Sequence, residues 1–145
     1  MSTPKITTKY LEQIYNPKKF KITITKMVTE INKLNKVSKI NAIAFTGTSG
    51  AAIAYPVSYI TGIPLLCVRK SVRDNHSQMK LEGFTTPKNY VIVDDFIASG
   101  RTIKNIRRAI QKESPKSKLT HVLLYRFQRE NRFDQDLKVD LVYLK

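Results

Sequence analysis

A mainly parallel, twisted β-sheet with helices on both faces, in one α/β domain, is the architecture this sequence predicts. Three observations predict it. Apolar runs of strand length alternate with segments of helical periodicity. Those runs are apolar at consecutive positions, as in strands buried on both faces. The chain has 145 residues, the size of one compact domain spanning residues 1–145.

The elements follow in order. Thr8 to Asn35 is mainly helical, with Leu11, Ile14 and Tyr15, then Ile24, Met27, Val28, Ile31 and Leu34 at helical spacing. Asn16-Pro17 divides it in two. "INAIAF", Ile40 to Phe45, is a buried strand running into a tight turn, "TGTSG". "AAIAYPVSYITG" is a helix despite Pro56, with Gly62 as its C-terminal cap. "IPLLCV" is the second strand. Arg69 to Pro87 is polar and aperiodic, a long loop with room for a weak hairpin; such loops are usually functional. "YVIVDD" is the third strand, and "TIKNIRRAIQK" the helix after it, with Ile103, Ile106 and Ile110 on one face and Ser114-Pro115 as its stop. "THVLLYRF" and "VDLVYL" complete five strands.

Hydrophobic residues make up 41% of the chain, enough for a core and against wholesale disorder. The single cysteine, Cys67, rules out an internal disulfide, and no metal-type Cys/His spacing accompanies it. "MSTPKITTKY" has no apolar leader core, and no apolar run approaches membrane-span length. A cytoplasmic protein without membrane contact is expected. The net charge is +15. Residues 1–39 carry nine Lys against two acids, residues 101–138 eleven Lys and Arg against four acids, and residues 40–100 five bases against four acids. The excess thus lies in the flanks, as a solvated surface or as an attraction for nucleic acid or a phosphorylated small molecule.

Sites in open parallel sheets form at the carboxyl ends of the strands. Three segments fall there: Thr46–Gly50, Arg69–Lys70 and Asp94–Thr102. In Ala98-Ser99-Gly100-Arg101-Thr102, small residues admit a ligand close to the backbone, and the following helix start offers free N–H groups and a positive dipole end. That pattern suits phosphate; an ordinary helix capped by Ser99 or Thr102 accounts for the same residues. Asp94 and Asp95 would repel phosphate but would accept hydrogen bonds from a sugar diol. Oxygen ligation of Mg²⁺ and helix capping are the rival uses of the pair.

"VIVDDFIASGRT", Val91 to Thr102, closely resembles the phosphoribosyl diphosphate (PRPP) signature of the type I phosphoribosyltransferases, with Phe96 bulkier than the aliphatic residue usual there. "FTGTSGAAIA", Phe45 to Ala54, resembles that family's diphosphate-binding loop, which implicates Thr46, Gly47, Thr48, Ser49 and Gly50. "GIPLLCVRK" resembles its next strand, ending in bases that reach the diphosphate, Lys70 with Arg69 beside it. "SVRDNHSQMKLEG", Ser71 to Gly83, occupies the place of the family's lid. Its spacing is most like that of orotate phosphoribosyltransferases, with Arg73, Asp74, His76 and Lys80 supplying similar chemistry, Arg73 and His76 as catalytic residues and Lys80 in the lid, although His76 is followed by Ser77 instead of glycine. "SGRT" also resembles the related pyrimidine-operon attenuators, which bind RNA. The likeness spans roughly residues 40 to 125, the PRPP-binding core. Residues 1–38 would form a minimal hood.

The resemblance implies transfer of the 5-phosphoribosyl group of PRPP to a purine or an orotate-like pyrimidine, with release of diphosphate. Asp94 and Asp95 would hold the ribose hydroxyls, Ala98–Thr102 the 5′-phosphate, and Lys70, the Thr46–Gly50 backbone and the lid the leaving diphosphate. Mg²⁺ is the implied cofactor, carried mainly by PRPP, with Asp94 or Asp95 as a contributing ligand. A homodimer is implied as well. The rival class is a regulatory or nucleic-acid-binding module that keeps the PRPP site without transferring, using Arg107, Arg108, Arg126, Arg129 and Arg132.

Overall fold

The computed structural model describes residues 4–8, 11–70, 79–126 and 137–145. A short helix, α1 (Glu12–Tyr15), leads into α2 (Pro17–Val37). The expected break at Asn16-Pro17 is a cap: the Asn16 side chain accepts from the Lys18 and Lys19 N–H groups, and Pro17 opens the helix, where its missing N–H costs nothing. There follow β1 (Ala42–Phe45), α3 (Gly47–Thr61), β2 (Leu65–Val68), β3 (Leu81–Gly83), β4 (Asn89–Asp94), α4 (Arg101–Glu113), β5 (Lys118–Leu124) and β6 (Asp140–Tyr143). Gly62, at φ +74°, caps α3 in the left-handed conformation.

The six strands form one sheet in the order β3-β2-β1-β4-β5-β6. Every pairing is parallel except β2 with β3, which is antiparallel. The expected α/β class therefore holds, with one strand more than the sequence showed. Leu81–Gly83 is too short to display a period, and only its pairing with Leu66–Val68 makes it a strand. A second difference lies at Thr46–Gly50. The expected free turn is the first turn of α3, which starts two residues after β1 ends.

Two cores sandwich the sheet. On one side α2 and α3 contribute Met27, Ile31, Ile53 and Val57 against Ile43, Val91 and Leu123. On the other, α4 contributes Ile103, Ile106 and Ile110 against Ala44, Ile92 and Val122. Each fully buried aliphatic side chain stabilises the fold by roughly 1.5–3 kcal/mol. Among the described residues no helix is long and apolar enough to cross a membrane.

The chain order fixes where a crevice opens. From β1 it proceeds through α3 to β2 on one side, and from β4 through α4 to β5 on the other. The two connections leave the sheet on opposite faces, so the carboxyl ends of β1 and β4 are left uncovered between two helix starts.

Candidate functional site

A cavity of about 310 Å³ lies at that switch point. From the β1–α3 junction come Thr46 and Ser49; from the end of β2 comes Lys70; from the β4–α4 junction come Asp94, Asp95 and the continuous run Phe96–Ile103; from the end of β5 comes Arg126.

Asp94 and Asp95 are both buried, each 6% exposed. Asp94 Oδ1 accepts the Ser49 hydroxyl at 3.0 Å and the Asp95 N–H at 2.9 Å. Burial pushes the Asp94 carboxyl up to about 7; the neighbouring Asp95 charge adds to the rise, while the Asp95 N–H and Ser49 hydroxyl oppose it. The backbone of the pair is fixed too, since the Asp94 and Asp95 carbonyls accept from Tyr125 N–H at 3.2 Å and Arg126 N–H at 2.9 Å.

The turn beyond the acids ends at Gly100, at φ +80°, which a side chain would strain. A Cβ there would also meet Leu137 Cδ2 at 3.2 Å, so Leu137 forms the floor of the turn. The Ser99 hydroxyl oxygen accepts from Arg101 N–H at 3.3 Å. Gly100, not Ser99 or Thr102, occupies the cap position of α4. Ala98, Ser99, Arg101 and Thr102 are exposed and line the cavity.

At the other junction, Gly47 takes φ +66° at the first helical position. A Cβ on Gly47 would stand 3.0 Å from Lys70 Cε and Nζ, so the Lys70 ammonium lies directly against this helix start. Thr46 is buried, its hydroxyl donating to Val68 O at 2.6 Å. The Tyr125 hydroxyl donates to Ser49 O at 2.7 Å and ties the first turn of α3 to β5. Thr48 is exposed and Gly50 buried, and neither lines the cavity.

Arg69 does not line the cavity either. Its Nη2 donates to Glu82 Oε2 at 2.7 Å, across the β2–β3 pair, which takes the guanidinium away from the site. Lys80 is exposed and also off the cavity. Arg73 and His76 lie outside the described residues.

Phe96 and Arg126, with Ile97 and Ile103, line the cavity although the sequence marked none of them as a site residue. Arg126 places its guanidinium 5.2 Å from the centre of the Phe96 ring, and both face the cavity. Phe96 stood out only as a bulky departure, and Arg126 only as part of a basic flank. Arg126 nevertheless follows the carboxyl end of a parallel strand, the same signal that marks Lys70 and Asp94.

Among the described residues no three His, Cys, Asp or Glu side chains are placed to hold a metal. Two carboxylates beside a polar cavity do suit Mg²⁺ that brings waters and phosphate oxygens of its own.

The family model for the phosphoribosyl transferase domain matches residues 11–141. An orotate phosphoribosyltransferase of Fusobacterium nucleatum is 31% identical over 94 residues, covering 62% of this chain and 44% of that protein. The chain's matches cover from 35% to 67% of the length of the curated relatives found. Among solved structures, an adenine phosphoribosyltransferase superposes with a TM-score of 0.73 at 18% identity, covering 93% of this chain and 85% of that one. The orotate phosphoribosyltransferase of Mycobacterium tuberculosis H37Rv in complex with PRPP does so with a TM-score of 0.68 at 14% identity, covering 86% and 73%. At these identities the likeness shows the fold.

Proposed function

The chain belongs to the phosphoribosyl transferase domain family, and on that premise we propose that it moves the 5-phosphoribosyl group of PRPP onto a ring nitrogen of a nucleobase, releasing diphosphate. The observation that carries the proposal is the pair of buried carboxylates next to the Ala98–Thr102 turn in one cavity. Acids and a phosphate-type turn would oppose each other for most ligands. A phosphorylated sugar with free hydroxyls suits both.

In this reading the turn and the α4 start receive the 5′-phosphate. Asp94 and Asp95 accept the ribose hydroxyls and lie where positive charge develops as the anomeric bond breaks. Lys70 and the N–H groups of the α3 start take up the charge of the departing diphosphate. The cavity walls place the reacting atoms. Mg²⁺ held on PRPP oxygens, with Asp94 or Asp95 at its edge, would supply further neutralisation of diphosphate charge.

For the base we favour an acidic pyrimidine of the orotate type. Arg126 offers a cation at the cavity wall, stacked on a flat ring, which fits a planar heterocycle carrying a carboxylate. The curated relatives found are orotate enzymes, which agrees. Diphosphate release from PRPP and Mg²⁺ should be measured with orotate, uracil, adenine, hypoxanthine and guanine. Release with orotate alone is expected. Release only with a purine overturns the base, and no release from folded protein that binds PRPP overturns the transfer.

A further inference from the structure

We propose that the outer face of α4 is a track for the sugar-phosphate backbone of a single-stranded nucleic acid. It does not depend on the transfer reaction, although Arg101, at the N-terminal end of this face, also lines the cavity. Arg101, Lys104, Arg108 and Lys112 are all exposed. At about 100° per residue they fall within an arc of roughly 80°, and they run about 16 Å along the helix. The three isoleucines of α4 point the opposite way, into the core. None of the four cations forms an ion pair with a described residue. The only acid of α4 is Glu113, in its last position. Four like charges in a row repel one another, so the face gains from a polyanion laid along it.

The structure also narrows which arginines belong to this face. Arg107 turns aside, its Nη1 donating to Leu137 O at 2.9 Å. Arg126 is stacked on Phe96 at the cavity. The charge that sequence position alone assigns to one basic flank is therefore divided between the site and the track.

Other polyanionic partners fit less well. Helices that lie on membranes insert an apolar face, and here that face is buried in the core, with no large exposed hydrophobic residue on α4. Protein interfaces centre on buried aromatic or aliphatic anchors, which this face lacks. It carries no aromatic ring to stack on bases either, so binding is predicted to follow the backbone with little sequence preference.

The test is fluorescence anisotropy with a mixed-sequence RNA of about twenty nucleotides. The full chain and the variant K104E/R108E/K112E are titrated between about 50 and 200 mM salt. The wild type should bind with a log–log salt slope of about −2 to −3, as three or four phosphate contacts give on a single strand. The variant should lose at least tenfold in affinity, with the slope flattened by about 2. A control with the same change in charge, K18E/K21E/K36E on exposed positions of α2, should bind nearly as wild type. Equal losses in both variants would mean diffuse attraction by net charge and overturn the track. So would unchanged binding by the α4 variant, or capture by anionic phosphatidylserine vesicles without RNA binding. Neither variant touches the cavity, so diphosphate release reports separately on the site.

Discussion

The two strand-to-helix junctions that enclose the cavity share a topology and differ in how they meet a ligand. Each leaves the carboxyl end of a parallel strand, and each carries a glycine at positive φ beside the helix start, Gly47 at +66° and Gly100 at +80°. Between β1 and α3 only Thr46 intervenes; between β4 and α4 there are six residues, 95 to 100. The short junction has no room for side chains over the helix start, so it presents backbone N–H groups with Lys70 laid against them. The long junction holds a buried acid, a hydrophobic step and a small-residue turn, and all six of its residues line the cavity. Connection length thus decides whether a junction presents backbone groups or a shaped loop to the cavity.

The largest effect should come from the long junction. Asp95→Asn should lower kcat/KM for PRPP by at least about 100-fold, the scale of losing charge stabilisation in an enclosed site, while Tm moves by less than about 2 °C. Equal losses of stability and PRPP binding, by calorimetry, would assign Asp95 to the fold instead.

The short junction should be probed by Gly47→Ala. The new methyl would face Lys70 Cε and Nζ at 3.0 Å in a conformation side chains avoid. A destabilisation of about 1 kcal/mol is expected, with about tenfold weaker diphosphate binding as Lys70 is displaced. If the variant binds diphosphate as tightly as wild type, the junctions are not equivalent halves of one site.

Asp94→Asn separates function from stability. The Asp94 carboxyl lies near 3.8 in an unfolded chain and is raised to about 7 on folding. The folded protein therefore holds a proton that the unfolded chain releases. This contribution is complete below about pH 4 and is lost as pH rises toward 7. Asparagine keeps an oxygen for Ser49 and the Asp95 N–H and cannot ionise. The variant should lose this pH dependence and gain on the order of 1 kcal/mol at pH 8, about 2–4 °C in Tm, while PRPP binding falls. Thermal melts from pH 4 to 8 check the sign; an unchanged slope would place the pH response elsewhere.

The smallest effect concerns the contact of the long junction with Arg126. Phe96→Val frees Arg126 from its ring, a contact worth about 0.5–1 kcal/mol at exposed sites. KM for the base should change by roughly two- to fivefold, with PRPP affinity unaltered.

Much of this was legible in the sequence because local patterns carry it. The consecutive apolar positions of "INAIAF" and "YVIVDD" specify strands buried on both faces, and the isoleucines of α4 specify its inner side. Two acids before a small-residue turn mark the site by chemistry alone. What the sequence could not disclose depends on partners distant along the chain. Leu81–Gly83 becomes a strand only against β2, and Arg69 is taken from the site only because Glu82 lies across that pair. Arg126 joins the cavity only because β5 pairs with β4 and carries it to the same edge as Asp95. Periodicity and turn chemistry act over a few residues, so the sequence by itself determined the elements and the kind of site. Pairing and burial act across the whole chain, so only the tertiary structure decided which side chains share the cavity and which are held away from it.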